Sequence, residues 1–429
     1  MLILWMSAIS IGRMSRIHNI RQVVEHRLCL GCGACAYICP EHIRLVDYSN
    51  EGIRPLVDDK ACTSCTECLK VCPGFENDHT EINRRAGVFD DLTEFCGPVL
   101  EIWEGYATDQ EIRFAGASGG VITALALFCM MERSMYGTLH IGSDPDDATR
   151  NCTKMSRSRS DLLSNTGSRY SAASACDSLS LIESAPSPCV FVGQPSEVTA
   201  LRKAALLRPA LDRNVGLVIS FFCAGSPTRR GTLELLARMG LGPEEVASLR
   251  YRGNGWPGTF TPELKDRTKA VGRLTYKESW EFLQSYRPFS THLSPDGTGE
   301  DADISCGDPW YREIRPDEPG QSLVVVRTEK GRALLRAAVA ANYLALEVAE
   351  PWKLLESQKN LISKRGAVGG RLASLRAIGL ATPRLRGFSL FRNWMRLTLA
   401  GKIRSTFGTV RRVLVRRYFR PLRLDLDRR

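Results

Sequence analysis

Through the middle of the chain, short apolar runs without polar alternation are each followed by a polar or glycine-rich turn and then by apolar residues at helical spacing. PCVFVGQP (188–195) reads as a strand, and SEVTALRKAALL after it as a helix capped by Ser196. NVGLVISFFCAGSP (214–227) repeats the scheme, with Thr228 opening the helix TRRGTLELLARMG, and SLVVVRTEKGRALLRAAVAAN (322–342) repeats it again. Runs that lack alternation suit strands covered on both faces, and strand–loop–helix repetition predicts an α/β sheet. Ligands on such sheets bind beyond the carboxyl ends of strands, which directs attention to 193–196 and 223–227.

Other stretches depart from this rhythm. EHIRLVDYSNEGIRPLVDD alternates around Asn50-Glu51-Gly52 and predicts a hairpin. FAGASGGVITALALFCM sets Gly116, Ser118, Gly119 and Gly120 ahead of a helix starting at Val121, a pattern that serves equally as an anion cradle or a plain cap. GSRYSAAS (167–174) and the glycine-rich RYRGNGWPG (250–258) read as loops, the second with Arg252 and Trp256 as its chemically useful residues. DGTGEDADISCGDPW (296–310) packs five acids together and is expected to be a solvated, turn-rich loop rather than a metal site.

Eight of the fifteen cysteines form two copies of C-x2-C-x2-C-x3-C-P: Cys29, Cys32, Cys35 and Cys39, then Cys62, Cys65, Cys68 and Cys72. This is the spacing of bacterial two-cluster ferredoxins, in which the fourth cysteine of each run ligates the other cluster. It predicts one [4Fe–4S] centre on Cys29, Cys32, Cys35 and Cys72, and a second on Cys62, Cys65, Cys68 and Cys39. A zinc site would leave the middle cysteine without a role, and a disulfide framework belongs to secreted chains. Cys96, Cys152, Cys176 and Cys306 have no ligand spacing, and Cys129 and Cys189 lie in apolar runs as small core residues.

Hydrophobic residues make up 43% of the 429 positions, a globular composition with far more chain than a ferredoxin needs. MLILWMSAISIG is apolar, but Arg13 and Arg16 follow rather than precede it, the reverse of a signal peptide. It is expected to be a disordered leader, and the thiols suit cytoplasmic, reducing surroundings. The net charge of +11 is uneven: 371–429 carry sixteen Lys/Arg against two Asp/Glu, so the remainder is slightly negative and unsuited to nucleic acid. From Phe391, apolar Met395, Leu399, Ile403, Phe407, Val410, Leu414 and Tyr418 recur at helical spacing with arginines and lysines between them. Such a helix over 391–420 could lie peripherally on an anionic membrane surface, dock on the body, or grip an acidic protein such as a ferredoxin.

The order of these motifs (the ferredoxin-type module, ASGGVITAL, GSRYS, FVGQP, SFFCAG, YRGNGWPG, DGTGEDADIS and GDPW) resembles the coenzyme F420 hydrogenase/dehydrogenase beta-subunit family, which includes 7-hydroxymethyl chlorophyll a reductase. Between the leader (1–21) and the basic amphipathic tail (371–429), both read from the residues themselves, the resemblance implies a two-cluster module (22–80) and two beta-subunit-type domains (95–180 and 185–350). It implies a mixed α/β body that binds FAD, with Ser118, Gly119, Gly120, Thr123, Ser168, Arg169 and Tyr170 lining the flavin. It also implies electron exchange with a donor or acceptor protein such as ferredoxin. Tyr170 and His292 are the candidate proton donors.

Where relatives carry G-x-P-C this chain has GQPS, with Ser196, and where they carry C-x-x-C-x-D it has THLSPD, with Thr291 and Ser294; Cys223 alone of the four positions keeps a thiol. The four resemble the ligand set of an additional cluster. Hydroxyls stay protonated near neutral pH and ligate iron poorly, so loss of that cluster is expected. Three functions follow: an iron–sulfur flavoprotein oxidoreductase acting on an organic substrate or deazaflavin, an electron-transfer subunit for a separate enzyme (some relatives stand beside polysaccharide biosynthesis), or a non-catalytic scaffold.

Overall fold

The computed structural model describes residues 17–58, 62, 65–315 and 317–424, so most of the expected leader lies outside the described residues. The first cysteine run folds into a loop and the short helix Ala34–Ile38. β1 (Ile43–Tyr48) and β2 (Gly52–Val57) then form the hairpin, with Tyr48 opposite Gly52. The second run ends in the helix Glu67–Lys70, and β3 (Glu76–Asp78) leads away from it.

The body is built from β4 (Glu101–Ala107), β5 (Thr138–Ser143), β6 (Asn151–Ser156), β7 (Cys189–Gly193) and β8 (Val215–Phe221). A separate antiparallel sheet comprises β9 (Val246–Arg250), β10 (Thr259–Leu264) and β11 (Leu274–Thr275). The main sheet is completed by β12 (Ile304–Gly307), β13 (Ser322–Val326) and β14 (Leu344–Val348). Its eight strands run in the order β14-β4-β13-β12-β8-β7-β5-β6, parallel from β12 to β5 and antiparallel at both flanks.

The lack of alternation in β7 and β8 has the anticipated cause. Val190, Leu217 and Ile219 pack with the helices Val121–Glu132 and Glu329–Ala340, while Phe191 and Val218 pack on the opposite face with the helix Pro195–Ala205. Cys32, Ala34, Ile38 and Val71 join this second core, so the cysteine module itself covers part of the sheet. Cys129 and Cys189 are fully buried. Thr228 takes the N-cap position of the helix Arg229–Arg238, without a side-chain capping bond, but the helix after β7 starts one residue before Ser196. Gln194 is its cap and Pro195, with φ already fixed, its first residue.

The helix Lys359–Ala377 ties the two parts together, since Val368, Leu372 and Leu375 pack with Ile20, Val24, Cys29 and Cys35. The boundary expected at 371 falls inside it. The single tail helix is divided into Leu390–Met395 and Leu399–Val415, because the Thr398 hydroxyl accepts the Gly401 amide at 3.1 Å and caps a new start. A Cβ on Gly370 would lie 2.6 Å from Ser405 Oγ, so glycine permits the close approach of these helices. β15 (Arg384–Arg386) pairs with β3, and the Leu422 amide donates to Glu25 O at 2.8 Å, returning the chain to the cysteine module. No helix among the described residues is long and apolar enough to cross a membrane.

Candidate functional site

The last cysteine of each run lies beside the other run's triplet. Burial pushes the Cys72 thiol up to about 12, and nearby Cys29 of the first run adds to the push. Burial raises Cys35 as well, reinforced by Cys32, Cys29 and Cys72. Cys39 is raised by burial and then by Cys62 and Cys65; Cys68 by burial and then by Cys62, Cys39 and Cys65. Thiols that would repel one another as thiolates form a donor set that a cationic centre satisfies. Among the described residues, no three His, Cys, Asp or Glu side chains converge on one ion-sized point. An iron–sulfur cube takes one thiolate at each of its irons and does not require such convergence, so the two quartets fit it.

The quartets differ in setting. Cys29, Cys32, Cys35 and Cys72 are buried, whereas Cys62 and Cys65 are exposed. The inner loop meets the body directly: the Cys176 amide donates to Cys32 O at 3.0 Å, and Lys203 Nζ donates to Glu76 O at 2.5 Å. Gly33 opens the helix Ala34–Ile38 at φ +88°, and a Cβ there would lie 2.3 Å from Ser174 Oγ. Glycine therefore serves both the left-handed turn and the docking.

Ser196, Cys223, Thr291 and Ser294, distant in sequence, line one small pocket of about 40 Å³ that is partly open to solvent. Gly31 of the first cysteine loop, Arg54 of the hairpin, and Lys364 share its wall. The Gly225 amide donates to Cys223 Sγ at 3.3 Å, and burial raises that thiol. Burial lowers Lys364 to about 8. One thiol and three hydroxyls do not fit a cubane.

The remaining motifs meet at a second place. Ser118, Gly119 and Gly120 precede the helix Val121–Glu132, with Thr123 in its first turn. Ser118 Oγ donates to Gln321 O at 2.5 Å and the Gly119 amide to Ser322 Oγ at 2.8 Å, so these groups are committed within the protein. The helix's own first-turn amides are the groups left there that an anion could meet. The Gly255 amide donates to Phe114 O at 3.0 Å, and Arg250 Nη1 donates to Ala115 O and Thr166 O, each at 3.2 Å. These bonds bring 113–120, 166–170 and 250–258 together. Ser168 is half-buried in the middle loop. Arg169 is spent on staples: Nη1 donates to Leu249 O at 3.1 Å and Nη2 to Ala148 O at 2.8 Å, with Nε on Asn151 Oδ1.

Aromatic rings wall this junction. Tyr170 stands 4.9 Å from Trp280 and 6.3 Å from Tyr276, and Trp310 lies parallel to Tyr276 at 5.7 Å. Arg252 makes a two-pronged pair with Asp308 at 2.9 and 2.8 Å, and its guanidinium sits 4.4 Å over the Tyr276 ring. Trp256 Nε1 donates to the same carboxylate at 2.8 Å. Tyr276 and Trp280 are not marked by any motif in the sequence. Their one signal is the aromatic pair at i and i+4 of YKESW.

His292 lies apart from Tyr170, near the Cys223 pocket. Burial, then Arg371, Arg287, Arg412 and Lys364, hold its imidazole far below the usual range. It stays neutral at physiological pH and cannot act there as an imidazolium proton donor.

The acidic loop is not solvated. Asp296, Glu300 and Asp303 are buried, because cations from distant segments reach them. Glu300 pairs with Arg365 and lies 2.8 Å from His79 Nδ1; His79 Nε2 is 3.1 Å from Asp301 Oδ2. Burial opposes charge on His79, yet Asp301 and Glu300 outweigh it and push the imidazole up to about 10.

A two-quartet cysteine module docked on a mixed sheet defines an iron–sulfur α/β protein. Residues 28–74 match the 4Fe-4S dicluster domain, 102–180 the N-terminal part and 188–351 the C-terminal part of the coenzyme F420 hydrogenase/dehydrogenase beta subunit. The chain belongs to that beta-subunit family. A chain from the F420-reducing [NiFe] hydrogenase complex of Methanosarcina barkeri, solved as a xenon derivative, has a similar fold. The TM-score is 0.50 at 20% identity, covering 68% of this chain and 97% of that one. No curated protein matches the sequence.

Proposed function

We propose that this protein is an iron–sulfur flavoprotein that moves electrons between a partner protein and a flavin site in its own body, acting on an organic substrate or a deazaflavin. The observation that carries this reading is the polarity of the two quartets: Cys62 and Cys65 open to solvent, whereas Cys29, Cys32, Cys35 and Cys72 are all buried, Cys32 in the core shared with the sheet. Cys39, Cys62, Cys65 and Cys68 would hold an outer [4Fe–4S] cluster at a surface where a partner such as ferredoxin can dock. Cys29, Cys32, Cys35 and Cys72 would hold an inner one, from which the packed module excludes water. FAD would be held by the start of the helix Val121–Glu132 and the aromatic loops around Tyr170. When bound, the clusters supply one-electron transfer, and the flavin joins it to hydride chemistry.

The protein's own residues orient and shield. Asp308 fixes Arg252 and Trp256 together, so the glycine-rich loop presents one arrangement to a ligand. Tyr170 is the remaining candidate proton donor, since His292 is held neutral. Membership in a beta-subunit family supports a second reading, an electron-transfer subunit that serves a separate enzyme in the cytoplasm. The test is anaerobic purification with quantification of iron, sulfide and flavin, followed by addition of reduced ferredoxin. Roughly eight irons per chain and a flavin that bleaches would support the proposal. Turnover without added subunits separates the first reading from the second. Clusters without flavin would leave the scaffold reading standing.

A further inference from the structure

Of the sixteen large apolar side chains exposed among the described residues, eight fall between Phe391 and Phe419. The helix Leu399–Val415 is anchored by Ser405, Thr409 and Val413, which are buried, and not by its larger apolar residues. Leu399 (75% exposed), Ile403 (50%), Phe407 (73%) and Leu414 (48%) point outward instead. At about 100° per residue these four span an arc of roughly 80°, and Arg404 and Arg411 border it on the solvent side. Residues 391–420 contain nine Lys/Arg and no Asp or Glu. We infer that this face is a membrane-surface anchor: the helix lies in the plane of an anionic lipid surface, its stripe among the acyl chains and its arginines at the headgroups. Charge complementarity commits it to an anionic partner. Its form favours lipid over an acidic protein, because the stripe projects from a convex helix about 25 Å long. A bilayer receives such a ridge without shape complementarity.

The inference does not depend on the redox reading, and its test uses neither flavin nor turnover. The anaerobically purified holoprotein is sedimented with vesicles of phosphatidylcholine, with and without phosphatidylglycerol. Binding is expected only where phosphatidylglycerol is present, and it should fall as salt shortens the range of the charges. Leu399→Glu/Phe407→Glu should weaken partition at least about tenfold. Iron content and cluster absorbance of the variant should match the parent, since neither residue packs inward. Arg404→Gln/Arg411→Gln, which leaves the stripe intact, should give a smaller loss confined to anionic vesicles. Failure of the parent protein to bind, or equal partition of the parent and the Leu399/Phe407 variant, would overturn the assignment. So would equal binding to neutral vesicles, or retention of an acidic ferredoxin lost in the same variant without lipid binding.

Discussion

His79 offers the most direct test of how the cysteine module is fastened to the body. It sits just after β3, fully buried, with Phe388 4.3 Å from its ring and a carboxylate at each nitrogen. Its partners belong to the acidic loop, and through Glu300 it is coupled to Arg365 on the helix Lys359–Ala377. His79→Gln keeps polarity and approximate size but removes the charge, leaving Asp301 with Thr199 Oγ1 at 2.6 Å as its main remaining donor. Removing one partner from a buried ion pair costs about 3–5 kcal/mol. The imidazole gives an independent figure: its rise from 6.5 to about 10 corresponds, at about 1.36 kcal/mol per pH unit, to an upper bound of ~5 kcal/mol.

The sign is fixed by linkage. A group whose folded pKa is raised contributes its full stabilisation below its unfolded value and loses it as pH rises through the folded one. The parent should therefore lose this contribution between about pH 6.5 and 10, whereas His79→Gln should lack that part of the profile. Thermal melting of anaerobic holoprotein across this range is the assay. At low pH the variant should melt lower by several degrees, since 1 kcal/mol moves a domain of a few hundred residues by about 2 °C. The gap should close toward pH 10. Parallel profiles, or a variant within a degree of the parent at pH 6.5, would refute the reasoning.

Further outcomes follow from the cysteines and the aromatic junction. Cys72→Ser should lower iron by about four atoms per chain and spare the outer centre, whereas Cys223→Ser should leave iron near eight; equal losses would remove the distinction between the quartets and the pocket. Because Ser196, Thr291 and Ser294 line the same pocket as Cys223, their joint replacement by cysteine should raise iron toward about twelve. Iron remaining at about eight in that triple variant would show that more than thiols has changed there. Arg252→Ala should destabilise the fold by about 3–5 kcal/mol by stranding the largely buried Asp308, and Arg252→Lys, which cannot make the two-pronged pair, should recover only part of it. Melting temperature and retained flavin after gel filtration would check both.

What the sequence discloses is what neighbours in the chain determine. The two cysteine runs, with thiols three or four positions apart, are legible because their spacing is local, and β7 and β8 because burial on both faces leaves an uninterrupted apolar run. His79 carries no local mark, since its carboxylates lie more than two hundred residues away. The acidic loop reads as solvated for the same reason: Arg327, which donates to Thr298 O at 3.0 Å and to Cys96 O at 2.8 Å, and Arg365 arrive from elsewhere. The C-terminal helix is the sharpest case. Its periodicity defines an apolar stripe, and the ordinary rule turns such a stripe inward. Here Leu397 and Trp394 already fill the space over Gly366, Gly369 and Gly370 of the opposing helix, and the last helix comes close only at Gly370, beside Ser405, so Ser405 and Thr409 take the inner face. A hydrophobic pattern marks a surface that must meet something apolar; the shape of the facing element decides whether that is the protein's own core.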